Sequence, residues 1–221
     1  MYKINHLLKT KIMKTKTWLL AAAFIMFIGN ILLAQKPNQI SGDFSQLKGQ
    51  HEIGLIYDYS NVNVGTMPEA AYIKKKMADA DKKVPGDGQR WAAEWQSDKT
   101  RKYHVKFKQY LNDELSKSGM KADTGVTSGK YSLVVKVIMI EPGFATGTIG
   151  SKESHLTVEI RLIENNNPGK ILASLLYEDI RNMHYNKFLG SEADFDTGTR
   201  IAGVFGTVGE IVGKYLQKQL K

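Results

Sequence analysis

Three carboxylates alternate along one stretch, Glu192, Asp194 and Asp196, just ahead of Gly198. Oxygen-rich loops of this kind bind hard cations such as calcium, so these three residues are the weak metal-ligand candidates of the chain. The stretch has no EF-hand spacing and no distal Glu at the proper offset. A solvated acidic loop at the positive end of the following helix is the plainer reading, and Asp196 is well placed to N-cap that helix. Asp-Thr-Gly occurs twice, at 123–125 and 196–198. Aspartic proteases pair two such motifs so that two carboxylates share one proton. Their copies sit on equivalent strand-loops, whereas here one copy precedes a strand and the other caps a helix, which is turn and cap chemistry. The glycine-rich GFATGTIG (143–150) joins two strands, feeds no helix N-terminus and lacks the Lys-Ser/Thr ending of a phosphate cradle. His51, His104, His155 and His184 are scattered, without the clustering that zinc requires. The chain has no cysteine, which excludes disulfides, thiolate metal sites and a cysteine nucleophile.

Aromatic residues give a different kind of candidate. Trp91 and Trp95 lie one helical turn apart, with Tyr103 and Phe107 further along. They either pack a long helix onto a sheet or form a patch that docks a partner or a sugar, since Trp and Tyr dominate interface energetics. Trp91, Trp95 and Tyr103 are therefore the partner-binding candidates, and Trp91, which follows a Pro/Gly break, stands foremost. Lys99, Arg101, Lys102, Lys106 and Lys108 decorate the same helix. They form a solvated face or a contact with anionic lipid or glycan headgroups. None of these constellations makes a catalytic signature, and no cofactor is implied.

The elements that must position these residues follow from pattern and punctuation. IGLIYDYS (53–60) is β-rich and predicts a first strand. VNVGTMP turns the chain, and EAAYIKKKMADADKK reads as a helix that VPGDG (84–88) breaks. Trp91, Trp95, Tyr103, Phe107, Tyr110, Leu111 and Leu115 recur at helical spacing, predicting one helix from about Gln89 to Ser118, stopped at Gly119. A short strand is expected near Met120–Thr124. YSLVVKVIMIE (131–141) suits a strand covered on both faces, while HLTVEIRLI (155–163) alternates as a half-buried strand. NNNPG turns into KILASLLYEDI (170–180), so these three strands form an antiparallel meander. A closing helix is expected from about Thr197 to Gln219, with Gly203, Gly206, Gly209 and Gly213 inside it. Each interior glycine costs up to ~1 kcal/mol relative to Ala, so close approach to the sheet or to another helix must compensate, from this chain or a second one. The fold class expected is α+β: an antiparallel-dominated sheet in β-α-β-β-β-α order, with a long N-terminal helix region and a C-terminal helix packed on the sheet.

Residues 18–34, WLLAAAFIMFIGNILLA, are an apolar run preceded by Lys14 and Lys16 and ended by Ala34. That arrangement reads as a secretory signal peptide cut after Ala34, with Met13 the better start, or else as a retained anchor. Residues 35–51 read as a flexible leader and 52–221 as a single domain with a helical elaboration at about 84–100. The first 34 residues hold Lys3, Lys9, Lys11, Lys14 and Lys16 and no acid, so the net charge of +9 falls to +4 for residues 35–221. Nucleic-acid binding needs a focused basic surface, which +4 over a whole domain does not provide.

The strand order, the segment Leu111, Leu115, Gly119, the strand YSLVVKV, the glycine-rich loop Gly143 to Gly150 and a GKILAS turn-and-strand (169–174) after RLIEN (161–165) carry a resemblance. Over roughly residues 52–220 the chain resembles a group of exported bacterial α/β proteins that includes the amino-terminal domain of TolB and the curli-secretion lipoprotein of the CsgG type. It departs from the lipoprotein members in lacking their cysteine. The resemblance implies an accessory or assembly role in the periplasm or at the outer membrane, with another envelope protein as partner and without chemistry. The alternatives are a ligand or metal carrier, or a small hydrolase of envelope polymer. The hydrolase would draw its carboxylates from Glu159, Glu178, Asp179, Glu192 and Asp194, and needs two of them about 5–9 Å apart in a cleft.

Overall fold

A computed structural model describes residues 35–126, 129–145, 150–183 and 196–220; the expected signal segment lies outside them. Among the described residues no helix is long and apolar enough to cross a membrane. The elements run β1 (Gln39–Gly42), a 3-10 turn (Ser45–Leu47), β2 (Glu52–Asp58), β3 (Asn63–Val64), β4 (Met67–Pro68), α1 (Glu69–Asp81) and α2 (Asp87–Asp98). A π turn (Lys99–Tyr103) leads into α3 (His104–Leu115), β5 (Lys121–Asp123), β6 (Tyr131–Glu141), β7 (Phe144–Ala145), β8 (Ser151–Lys152), β9 (His155–Glu164), β10 (Asn167–Arg181) and α4 (Thr197–Leu220).

The main sheet has the order β1-β10-β9-β6-β2-β5, with β3 and β4 alongside. It is mixed, not antiparallel-dominated. β6, β9 and β10 form the expected antiparallel meander, but β2 lies parallel to both β5 and β6, and β3 runs parallel to β6. The cause is the helical connection between β2 and β5: a crossover long enough to return the chain to its starting edge makes the next strand parallel. Nor does any helix lead the described chain, since α1 follows four strands. β5 ends with Asp123 opposite Gly54, and β6 starts beside it with Ser132 opposite that same Gly54. The two strands thus flank β2 at its first residues.

One face of the sheet is fully covered. Leu55, Leu133, Val135, Ile160, Leu162, Leu175 and Tyr177 are buried there beneath α3 and α4, with Phe107, Leu111, Phe205 and Val208 as the helical half of the core. Their opposite neighbours along the strands, such as Val134, Lys136, Glu159 and Arg161, are half-buried. The alternation read in 155–163 is realised there as Leu156, Val158, Ile160 and Leu162 inward. The leader is part of this fold: β1 pairs antiparallel with β10 from Gln39↔Leu176 to Gly42↔Ala173, and Phe44 and Leu47 are buried in the core. Two apolar residues six and nine positions beyond the polar Asn38 suffice to hold a segment whose average composition reads as loop.

The long aromatic helix is broken once. Its last turn in α2 passes into the π turn Lys99–Tyr103 before α3 resumes the α-helical spacing. A π turn inserts a residue into the ladder and here resets the face, so that Trp95 and Phe107, on either side of it, both point into the core.

Candidate functional site

A cleft of about 310 Å³ opens where three pieces of chain meet. The β3–β4 turn gives Gly65, Thr66 and Met67, α1 gives Tyr72, Lys75 and Lys76, and the end of β6 gives Glu141, Pro142 and Gly143. Local chemistry builds each side. Gly65 adopts a left-handed φ of 58° and donates its N–H to the Ile140 carbonyl at 2.8 Å, which pins the turn against the end of β6. Pro68 directly precedes α1 and stops the strand. Gly143, at φ 61°, is packed so closely that a methyl there would sit 2.2 Å from the Lys152 carbonyl oxygen. That contact folds the β7–β8 ribbon back beside the cleft.

Behind α1 stands an aromatic block. Tyr72 packs against Trp91 (centroids 5.9 Å) and Trp95 (5.2 Å), and the two indoles stack at 5.6 Å. The Trp95 indole N–H donates to Glu69 Oε1 at 2.7 Å, and Lys99 Nζ lies 2.9 Å from that carboxylate with both charged groups largely buried. Glu69 opens α1, so this one carboxylate clamps the start of α1 to the end of α2. Lys99 also lies 4.7 Å from the Tyr59 ring centroid, and His104 stacks on Tyr57 at 3.6 Å. Burial, with help from the Lys99 ammonium, pulls the His104 pKa down from 6.5 to about 4, so the imidazole is neutral.

The charges in the cleft are unequal. Glu141 accepts from the Gly143 N–H at 3.1 Å and from Lys152 Nζ at 2.8 Å. Burial pushes its pKa up, but those two donors outweigh burial and hold the carboxyl below its ordinary range. A carboxylate held ionised and doubly bonded is a poor general acid. Tyr72 is pushed up by burial and by the Glu141 charge, with Arg200 opposing, so its phenol stays protonated. Lys75 and Lys76 form no ion pair with any carboxylate among the described residues, and Lys76 Nζ instead sits 5.9 Å from the Trp91 ring centroid. The cleft is therefore positive, with an aromatic and apolar wall.

Of the aromatic candidates, Trp91 stays half-buried at the rim of this region. Trp95 is 4% exposed and Tyr103 fully buried, the latter stacked on Phe205 at 5.1 Å. The helical periodicity that singled them out is the periodicity of a core face, so they present no ring to solvent. Asp196 accepts from the backbone N–H groups of Gly198 (3.2 Å) and Thr199 (3.0 Å), caps α4, and pairs with Lys102 at 2.8 Å. Glu192 and Asp194 lie outside the described residues, and among the described residues no three His, Asp or Glu side chains converge. The two Asp-Thr-Gly copies are separately employed, since Lys108 engages Asp123 while Lys102 engages Asp196. Three of the hydrolase carboxylates lie among the described residues. Glu159 pairs with Arg161 on the open sheet face, Asp179 with His155 and Arg181, and Glu178 is exposed. Residues 144–145 of the glycine-rich loop pair with 151–152, just beyond it, as the β7–β8 ribbon.

The cleft residues Tyr72, Lys75, Lys76 and Glu141 were not singled out from sequence. The signals were present: two punctuation runs, VGTMP and EPG, and three consecutive lysines in one helix. What was missing was the parallel pairing of β3 with β6, which alone brings those runs together. Compared with protein-family models, curated proteins and solved structures, the chain matches none.

Proposed function

We propose that this chain is a non-enzymatic, exported envelope protein that binds another periplasmic or outer-membrane component, and that it docks through the cleft between the β3–β4 turn, α1 and the end of β6. The observation that carries the docking face is the pair Lys75 and Lys76, unmatched by carboxylate among the described residues, on the rim of a cleft lined by Tyr72 whose own acid is neutralised by Lys152. Ligand sites are concave and largely apolar with a few placed polar groups, and this cleft fits that description. Support for export comes from the lysine-led apolar run 18–34. The resemblance to the TolB amino-terminal domain and the CsgG-type lipoprotein supports an accessory role.

In the test, the full-length chain carries a photoreactive residue in place of Thr66 and is irradiated in cells. The expected outcome is one discrete adduct whose second component is an envelope protein. The same residue placed at Ile56, on the open sheet face, serves as the control and gives no such adduct. Absence of the Thr66 adduct from correctly folded protein overturns the docking face. Recovery of the chain in the cytoplasm overturns export.

A further inference from the structure

We infer that the cleft receives an acidic peptide segment of the partner, with a carboxylate between Lys75 and Lys76 and a neighbouring apolar side chain against Tyr72, Met67 and Pro142. This inference rests on the docking face proposed above and names its chemistry. Charge sets the sign. Glu141 is consumed by Lys152 and the Gly143 N–H, so among the described residues lining the cleft an incoming anion meets two ammonium groups and no free acid. Shape sets the class. At about 310 Å³ the cleft lies at the small end of ligand sites, roughly 300–1,000 Å³. It is lined by three segments of chain, and its volume suits one or two side chains, whereas a bilayer surface is flat and needs a broad basic patch. Two turns, Gly65–Thr66 and Pro142–Gly143, border it with main chain that is already engaged: the Gly65 N–H donates to the Ile140 carbonyl, the Gly143 N–H to Glu141, and the Pro142 carbonyl accepts from Ser154, so an occupant is recognised through its side chains. The aromatic block fixes the lysines. Lys76 rests over Trp91, and Trp91 is held by Tyr72 and Trp95, so at least one ammonium is positioned before binding.

The probe is a short fluorescent peptide alternating Glu with Leu. Its partners in the experiment are the same peptide with Lys for Glu, and vesicles of phosphatidylglycerol. Full-length protein is titrated against each, and its tryptophan fluorescence, to which Trp91 contributes, is followed in parallel. The acidic peptide saturates, tightens at low salt and perturbs the tryptophan emission; the basic peptide does neither. Lys75→Ala/Lys76→Ala weakens acidic-peptide binding by about tenfold, the order expected from removing two partly exposed charges. Lys82→Ala/Lys83→Ala, in the turn after α1 and away from the cleft lining, leaves it unchanged. Equal acidic-peptide affinity in the two double variants overturns the inference, as does binding to vesicles without binding to the peptide. If the Thr66 adduct forms while the acidic peptide fails to bind, the docking face stands and the acidic segment falls. If neither occurs, both fall.

Discussion

At the scale of single residues, the polar interior around α1 and the π turn has a measurable consequence. His104 is flat against Tyr57, Tyr57 Oη donates to the His104 carbonyl at 3.2 Å, and the imidazole Nε2 is buried without a partner. Its pKa of about 4 in the folded chain lies below the ordinary 6.5. Between those two values the unfolded chain binds a proton that the folded chain refuses, so stability declines as pH falls from 6.5 towards 4. Chemical denaturation at a series of pH values should show this decline, and His104→Phe, which keeps a stacking ring, should flatten it. An unchanged pH slope in that variant would place the effect on other groups. Tyr103 and Trp95 teach a related lesson. Their identities were legible as helical aromatics, but whether an aromatic face meets solvent or core depends on what lies opposite, and Phe205 and Glu69 come from distant parts of the chain. Gly54 is a further case. A methyl there would meet Ser132 Oγ at 2.2 Å, and that hydroxyl is already committed to Asn165 Oδ1 at 2.7 Å.

At the scale of elements, Gly206, Gly209 and Gly213 of α4 are explained by α3, while Gly203 closes on Asn182. A methyl on Gly209 would lie 2.3 Å from the Phe107 carbonyl oxygen, and one on Gly213 would lie 2.6 Å from Glu114 Cβ. These glycines face α3 within the same chain, so the two helices pack backbone against backbone at Gly209 and backbone against side chain at Gly213. The helical cost of each glycine, up to ~1 kcal/mol, is offset by that closeness. Gly209→Ala should therefore destabilise the protein despite its better helix propensity, by about 1–3 kcal/mol, as overpacking of a fitted interface does. Thermal melting decides the matter: a raised melting temperature would mean that α3 yields easily. The strands 131–141 and 155–164, the terminal helix and the short strand at 121–123 were all legible to within a few residues, because turn residues and period bracket each of them. The π turn was not, since a one-residue insertion leaves apolar spacing almost unaltered over so short a stretch.

At the scale of the whole molecule, the described chain is a sheet with one face under helices, edged by β1 on one side and β5 on the other. Closing the β1 edge draws the leader into the core through Phe44, which meets Tyr215 edge-on at 5.9 Å, and through Leu47. Leu47→Ala should cost about 2–5 kcal/mol, the range for a buried Leu, read as a shift in denaturation midpoint. A loss near zero would show that the leader docks without contributing to the fold. By itself the sequence determined the longer elements and the exclusion of cysteine chemistry, because local propensity, punctuation and residue type are properties of short windows; β1, the β3–β4 and β7–β8 ribbons and the π turn did not show in it. It also determined which side of β9 is apolar, through a period of two. Only the tertiary structure decided that β2 runs parallel to its neighbours, that Gly206, Gly209 and Gly213 of α4 meet α3, and that Lys75, Lys76 and Glu141 share one cleft. Each of these depends on pairing between segments tens of residues apart. Such pairing is chosen by the combined burial of all the faces at once, and no single window of sequence records it.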